Sequence, residues 1–158
     1  MNELKPVAID AETPPTRIGS GYPHPFDQPC ADRQKKPLGD AFGLSDYGVN
    51  LVSLPPGTWS SQRHWHSLED EFIYILQGRP ILVTDEGETA LKPGMCAGFP
   101  AGVGNGHHLV NNTDDVVAYL EVGSRRDEDD VEYSDIDMQV KRRGYGTGFT
   151  HKDGTPYE

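Results

Sequence analysis

The feature that most constrains this chain is its punctuation. From Phe42 onward, short apolar runs alternate with turn signals. Gly48 to Leu54 ends at Pro55-Pro56-Gly57, Glu71 to Leu76 ends at Gly78, and Pro80 to Thr84 ends at Asp85-Glu86-Gly87. Glu88 to Leu91 then stops at Lys92-Pro93-Gly94, Cys96 to Phe99 runs into a Gly-rich loop reaching Gly106, and two further runs follow, His107 to Asn111 and Val116 to Val122. Runs of this length bounded by Gly and Pro are strands, and no helical period separates them. With 18 Gly and 13 Pro in 158 residues there is little room for long helices. The rhythm predicts an all-β fold, a sandwich, jelly roll or barrel, and the length suits one domain with one core.

The flanks read differently. Seven prolines between Pro6 and Pro37, with no sustained apolar period, predict an irregular N-terminal arm that wraps the barrel or a partner subunit. Past the barrel, Asp127 to Asp137 is an acidic run whose ordinary reading is a solvated loop, and Arg142-Arg143-Gly144-Tyr145-Gly146-Thr147-Gly148-Phe149 is too Gly-rich for a helix. The chain therefore divides into an irregular N-terminal arm, residues 1–41, a β-barrel, residues 42–123, and an acidic segment with a Gly-rich C-terminal tail, residues 124–158. The alternate glycines of the tail lack the preceding strand and following helix of a phosphate loop, and carry no chemistry.

Charge narrows the partners. Fourteen Lys and Arg against 25 Asp and Glu give a net charge of -11, which repels phosphate backbones and anionic lipid. Nucleic acid and membrane partners are not expected, and a small-molecule ligand or substrate is. Cys30 and Cys96 have no metal-type spacing, and Met1 to Asp10 lacks a basic segment followed by an apolar run, so a reduced, cytoplasmic protein is expected. The sequon Asn111-Asn112-Thr113 matters only in a secreted protein and is given no weight.

The chemistry concentrates in Gly57 to Glu71. In an extended backbone alternate side chains share a face, so His64 and His66 point into one space while Trp65 points away. A reversal through Ser67 to Asp70 brings Glu71, at the start of the next strand, beside them. Two imidazoles and a carboxylate form a facial set suited to Fe(II), Mn, Ni, Co or Zn with positions left open. His107, after the Gly-rich loop, is the natural fourth ligand, since its spacing to Asn111 keeps both on one face, and His108 then faces the other way. Trp59, Phe72, Tyr74, Phe99 and Tyr119 are read as core, and Gln62 and Arg63 as outside the ligand set, with Arg63 on the outer face.

These residues resemble the cupins. The first motif of that family, Gly, His-x-His, Glu and Gly, is matched by Gly57, His64, His66, Glu71 and Gly78, and the second by Gly94, Pro100, Gly102, His107 and Asn111. The spacing departs by one extra residue between Gly57 and His64 and by two between Gly102 and His107, both in loops. The resemblance implies a single jelly-roll barrel with one divalent metal ion on His64, His66, Glu71 and His107. It leaves open a metal-dependent enzyme, of isomerase, lyase or dioxygenase type, acting on a carbohydrate-like or carboxylate metabolite, and a non-catalytic ligand-binding module. Pairing of barrel faces and exchange of the Pro-rich arm are expected to give a homodimer.

Overall fold

Alternation is what builds the observed core. In the computed structural model, which describes residues 4–143 and 148–158, strands form at β1 (Arg17–Ile18), β2 (Gln34–Pro37), β3 (Tyr47–Leu54), β4 (His64–His66), β5 (Glu71–Gln77) and β6 (Ile81–Thr84). They continue with β7 (Gly87–Ala90), β8 (Cys96–Phe99), β9 (His108–Val110), β10 (Val117–Ser124), β11 (Glu128–Tyr133) and β12 (Gln139–Arg143). A single helical turn, α1 (Leu38–Ala41), separates β2 from β3. No helix is long and apolar enough to cross a membrane.

One wall is a six-stranded sheet in the order β1-β2-β3-β10-β5-β8. The other is made of two three-stranded sheets, β12-β11-β4 and β7-β6-β9, joined by bridges at His64↔His107 and Trp59↔Val110. The two walls form a jelly-roll β fold. Antiparallel register sets Val52 opposite Tyr119 and Leu54 opposite Val117, while Ile75 of β5 pairs with Tyr119 from the other side. These inward residues, with Ile73, Leu91 and Leu109, form the main core and are less than a tenth exposed. Each such side chain contributes about 1.5–3 kcal/mol on burial.

Three expectations from sequence are corrected. Phe72 and Tyr74 are not core: they lie on the outer face of β5 with Leu76 and are 41% and 40% exposed, because the inward positions of that strand belong to Ile73 and Ile75. The acidic run is a solvated loop only at its end, residues 134–137. Its first part forms β11, in which Asp129, Val131 and Tyr133 point inward while Glu128, Asp130 and Glu132 alternate with them. The basic residues of β12 offset that charge across the ladder, with Glu128 opposite Arg143 and Asp130 opposite Lys141, and Arg143 Nη1 lies 2.6 Å from Asp130 Oδ1. The N-terminal arm is irregular only in part, since β2 pairs with β3 and Lys35 Nζ reaches Glu121 Oε1 at 2.8 Å. Charge and proline content hid both strands.

The two arms meet in a second core. Val131, Tyr133 and Met138 are buried against Tyr22 and Phe26 from the N-terminal arm and Phe149 and Tyr157 from the C-terminal segment. Tyr22 and Tyr133 pack edge to face with centroids 5.6 Å apart. Of the Gly-rich stretch, Gly144 to Thr147 lie outside the described residues.

Gly78 closes β5 at φ +80°, and a Cβ there would stand 2.8 Å from the Val116 carbonyl oxygen and 2.9 Å from Val117 Cα. Gly57 has a similar φ of +78° with open space around it. Gly57→Ala is therefore expected to cost only the left-handed backbone penalty, about 1–2 kcal/mol, and Gly78→Ala clearly more. Thermal denaturation checks this, each kcal/mol lowering Tm by about 2–4 °C in a domain of this size.

Candidate metal centre

His64 and His66 alternate with Trp65 on β4, so both imidazoles enter the barrel, and β4 is held between β11 on one side and the His107 bridge on the other. The bridge is made of two backbone bonds, His64 N–H to His107 O at 3.2 Å and His107 N–H to His64 O at 2.9 Å. That brings the His64 and His107 rings to a centroid separation of 4.9 Å, and His64 and His66 to 5.1 Å. Glu71 opens β5 opposite Phe99 of β8 and points into the same space.

All four expected ligand residues converge. Glu71 Oε2 is 2.7 Å from His107 Nε2 and 3.5 Å from His64 Nε2, and Glu71 Oε1 is 3.6 Å from His66 Nε2. Candidate ligand atoms of His64, His66 and Glu71 all lie within 4.8 Å of one another. The far side of two rings is tied down: His64 Nδ1 donates to Gln62 O at 2.8 Å and His66 Nδ1 to Asp129 Oδ2 at 2.6 Å. Each bond places a proton on Nδ1 and leaves Nε2 facing Glu71. The His107 ring stacks on Phe99 with centroids 3.6 Å apart and planes 3° from parallel.

Electrostatics follow from this crowding. Burial would push the Glu71 carboxyl up, but the His107, His64 and His66 rings close around it hold it well below the usual carboxylate range. Burial would likewise lower His66, but Glu71 and Asp129 overcome it and raise the imidazolium to about 9. His107 is lowered, burial and the neighbouring imidazoles outweighing Glu71. The donor set fits a divalent cation. Glu71 Oε2 is buried without a well-aligned hydrogen bond although three imidazole nitrogens face its carboxylate, which is how lone pairs gather around a cation position. Three nitrogens and one oxygen suit the borderline metals Fe, Mn, Co, Ni and Zn.

Space for a ligand adjoins the cluster. A cavity of about 70 Å³ lies beside Glu71 and His107, walled by Trp65, Glu69, Phe99, Pro100, Val103 and Asn105. A smaller void of about 30 Å³ lies on the barrel side, against Tyr119 and His108. Residues set apart from the ligands in sequence stay apart here. His108 is buried with Nδ1 donating to Ser61 O at 2.8 Å and its ring against Trp59, Gln62 donates to Phe26 O, and Arg63 pairs with Asp135 and Asp85. The sequence reading missed Asp129, Glu69 and Arg142. Asp129 accepts from Leu68 N–H at 2.9 Å, and Arg142 pairs with Glu69. The signal for Asp129 was the alternation Asp129-x-Val131-x-Tyr133, masked by the surrounding acids.

Comparison with known proteins follows the same lines. The cupin domain family model matches residues 50–123. The crystal structure of a sugar phosphate isomerase from a cupin superfamily, from Silicibacter pomeroyi, superposes with a TM-score of 0.91 at 46% identity, covering 96% of each chain. A putative sugar phosphate isomerase from Acidithiobacillus ferrooxidans gives a TM-score of 0.74 at 29% identity over 81% of each chain. The polyketide cyclase RemF from Streptomyces resistomycificus shares the fold, with a TM-score of 0.65 at 19% identity over 82% of this chain and 85% of its own. A search of the curated proteins returned no match. A family model centred on the barrel strands and a relative nearly half identical from end to end make this chain a single-domain member of the cupin superfamily.

Proposed function

We propose that this protein is a metal-dependent isomerase of a small carbohydrate derivative, with one divalent ion on His64, His66, Glu71 and His107. The convergence of three imidazole nitrogens on the Glu71 carboxylate, beside a cavity, carries this reading. The 46% identical Silicibacter pomeroyi protein, described as a sugar phosphate isomerase, supports the substrate class. The bound ion supplies a Lewis acid that polarises a carbonyl or hydroxyl oxygen. The chain itself does the rest. Gln62 O and Asp129 keep two ligand rings in the tautomer that presents Nε2, Phe99 fixes the His107 plane, and Pro100 and Val103 narrow the entrance against water. A volume of about 70 Å³ holds two or three non-hydrogen atoms rather than a whole sugar. No Lys or Arg lines it among the described residues, so the uncharged carbonyl or polyol end of the substrate enters and any phosphate stays outside.

Two copies pair, in this reading, through the outer face of the six-stranded sheet. Phe72, Tyr74 and Leu76 are each about 40% exposed on one strand, an apolar stripe that a second copy would cover by two-fold symmetry. The free thiols Cys30 and Cys96 suit a reducing cytoplasm.

Metal content by plasma mass spectrometry is expected to give about one equivalent of a divalent transition metal per parent chain, lost in His107→Ala and kept in His108→Ala. With open-chain aldose and ketose phosphates, the loaded parent should interconvert the aldose and ketose forms, and His107→Ala should not. Metal and ligand bound without interconversion would instead identify a ligand-binding module.

Affinity should also depend on pH with a definite sign. Because His66 in the metal-free protein holds its proton up to about pH 9, the ion must displace that proton at neutral pH. Affinity is expected to rise by about one log unit per pH unit between roughly 7 and 9 and then level, with close to one proton released per ion, read by calorimetry in buffers of different ionisation enthalpy. For the pairing, sedimentation velocity should show the parent at twice the chain mass and Tyr74→Glu at the chain mass. A parent sedimenting as a single chain would end that part of the reading.

A further inference from the structure

We propose that Asp129 is a positioning residue of the metal centre, so that the β11–β12 hairpin, beyond the 50–123 segment matched by the cupin family model, is a working part of the site. This rests on the metal reading given above. The Asp129 side chain is fully buried, and its Oδ2 lies 2.6 Å from His66 Nδ1. Its other oxygen accepts from Leu68 N–H at 2.9 Å and from Ser67 Oγ at 3.3 Å. Asp130 N–H in turn donates to Ser67 Oγ at 2.7 Å, and Ser67 N–H to Asp130 O at 2.8 Å, so β11 and the end of β4 lock each other in register. A carboxyl group buried this completely is tolerable only with such donors around it, and they leave its Oδ2 facing the His66 ring nitrogen.

The consequence concerns His66 alone. A carboxylate acceptor fixes the Nδ1–H tautomer, sets the ring plane and raises the donor strength of Nε2, the usual outer partner of a metal-bound histidine. Of the three imidazoles, only His66 has one. His64 is held by a backbone carbonyl, and His107 Nδ1 is buried without a hydrogen-bond partner.

The competing reading of the same cluster is a second cation site on His66, Glu69 and Asp129. Arg142 argues against it, because its Nη2 already pairs with Glu69 Oε1 and stands 3.8 Å from Asp129 Oδ2, supplying the positive charge such an ion would bring. His66 Nδ1 is also committed as a donor and has no lone pair to offer on that side.

The test compares the parent with Asp129→Asn, which keeps the shape but presents either an amide N–H or a weaker acceptor to Nδ1. Zn(II) affinity from chelator competition is expected to fall about 10–100-fold, and the visible spectrum of the Co(II)-loaded variant to shift as His66 changes orientation or donor strength. Asp130→Asn, on the outer face, should bind as the parent does. Since a buried substitution can prevent folding, the Zn(II)-loaded parent provides a second measurement by long-range proton–nitrogen correlation of its histidine rings. His66 should carry its proton on Nδ1, strongly deshielded by the carboxylate. A folded Asp129→Asn with unchanged affinity and Co(II) spectrum, or a parent with the His66 proton on Nε2, overturns the proposal. A parent that takes up neither Zn(II) nor Co(II) overturns the metal reading beneath it.

Discussion

A buried carboxylate facing three imidazoles is the constraint around which this barrel is arranged. Glu71 sits where burial alone would favour its neutral form, and it remains ionised because three imidazole nitrogens from two separate chain segments reach it. Those segments cannot drift independently. His64 and His66 share β4, His107 is bound to His64 through two backbone hydrogen bonds, and Glu71 begins the strand that pairs with β8 and β10. The site is therefore made at the seam where the two walls of the jelly roll meet, and the register of the ladders is what sets its distances. A slip of one residue in β4 would turn both histidines outward and bring Trp65 in.

Support for that seam comes from outside the barrel strands. Tyr133, at the end of β11, lies with its ring 5.8 Å from His64 and packs against Tyr22 from the N-terminal arm and Phe149 from the C-terminal segment. Gln62, two residues before His64, donates to the backbone of Phe26 in the same arm. Both arms thus bear on the strand that carries two of the candidate ligands. This explains how a chain with a modest main core keeps a crowded polar site rigid: apolar surface buried in the second cluster stabilises the wall from behind.

How much of this was legible depended on which pattern carried the information. Apolar runs punctuated by Gly and Pro marked β3 and β5 to β10 within a residue or two, and His64-x-His66 with Glu71 and His107 marked the convergent side chains, because alternation in a strand is a strict geometric rule. The flanking strands were opaque for a physical reason. In β11 the outward positions are acidic and one inward position, Asp129, is acidic as well, so composition suggested solvent exposure where partnership with His66, Leu68 and Arg142 permits burial. Phe72 and Tyr74 failed in the opposite sense. Aromatic residues suggested core, but the inward face of β5 was already filled by Ile73 and Ile75, and period two leaves no third choice.

Charge acts at two ranges here, and the two have opposite signs. The whole chain carries -11, which holds polyanions at a distance, but that field fades over roughly 8 Å at physiological ionic strength. Inside the site, under the proposed metal reading, a divalent ion on three neutral imidazoles and one carboxylate would retain one positive unit, enough to draw a carbonyl or hydroxyl oxygen at short range. Arg142 offsets part of the Glu69 and Asp129 charge, pairing with Glu69 and standing 3.8 Å from Asp129. The cavity wall joins the apolar Phe99, Pro100 and Val103 to the polar Glu69 and Asn105, with no Lys or Arg among its described residues.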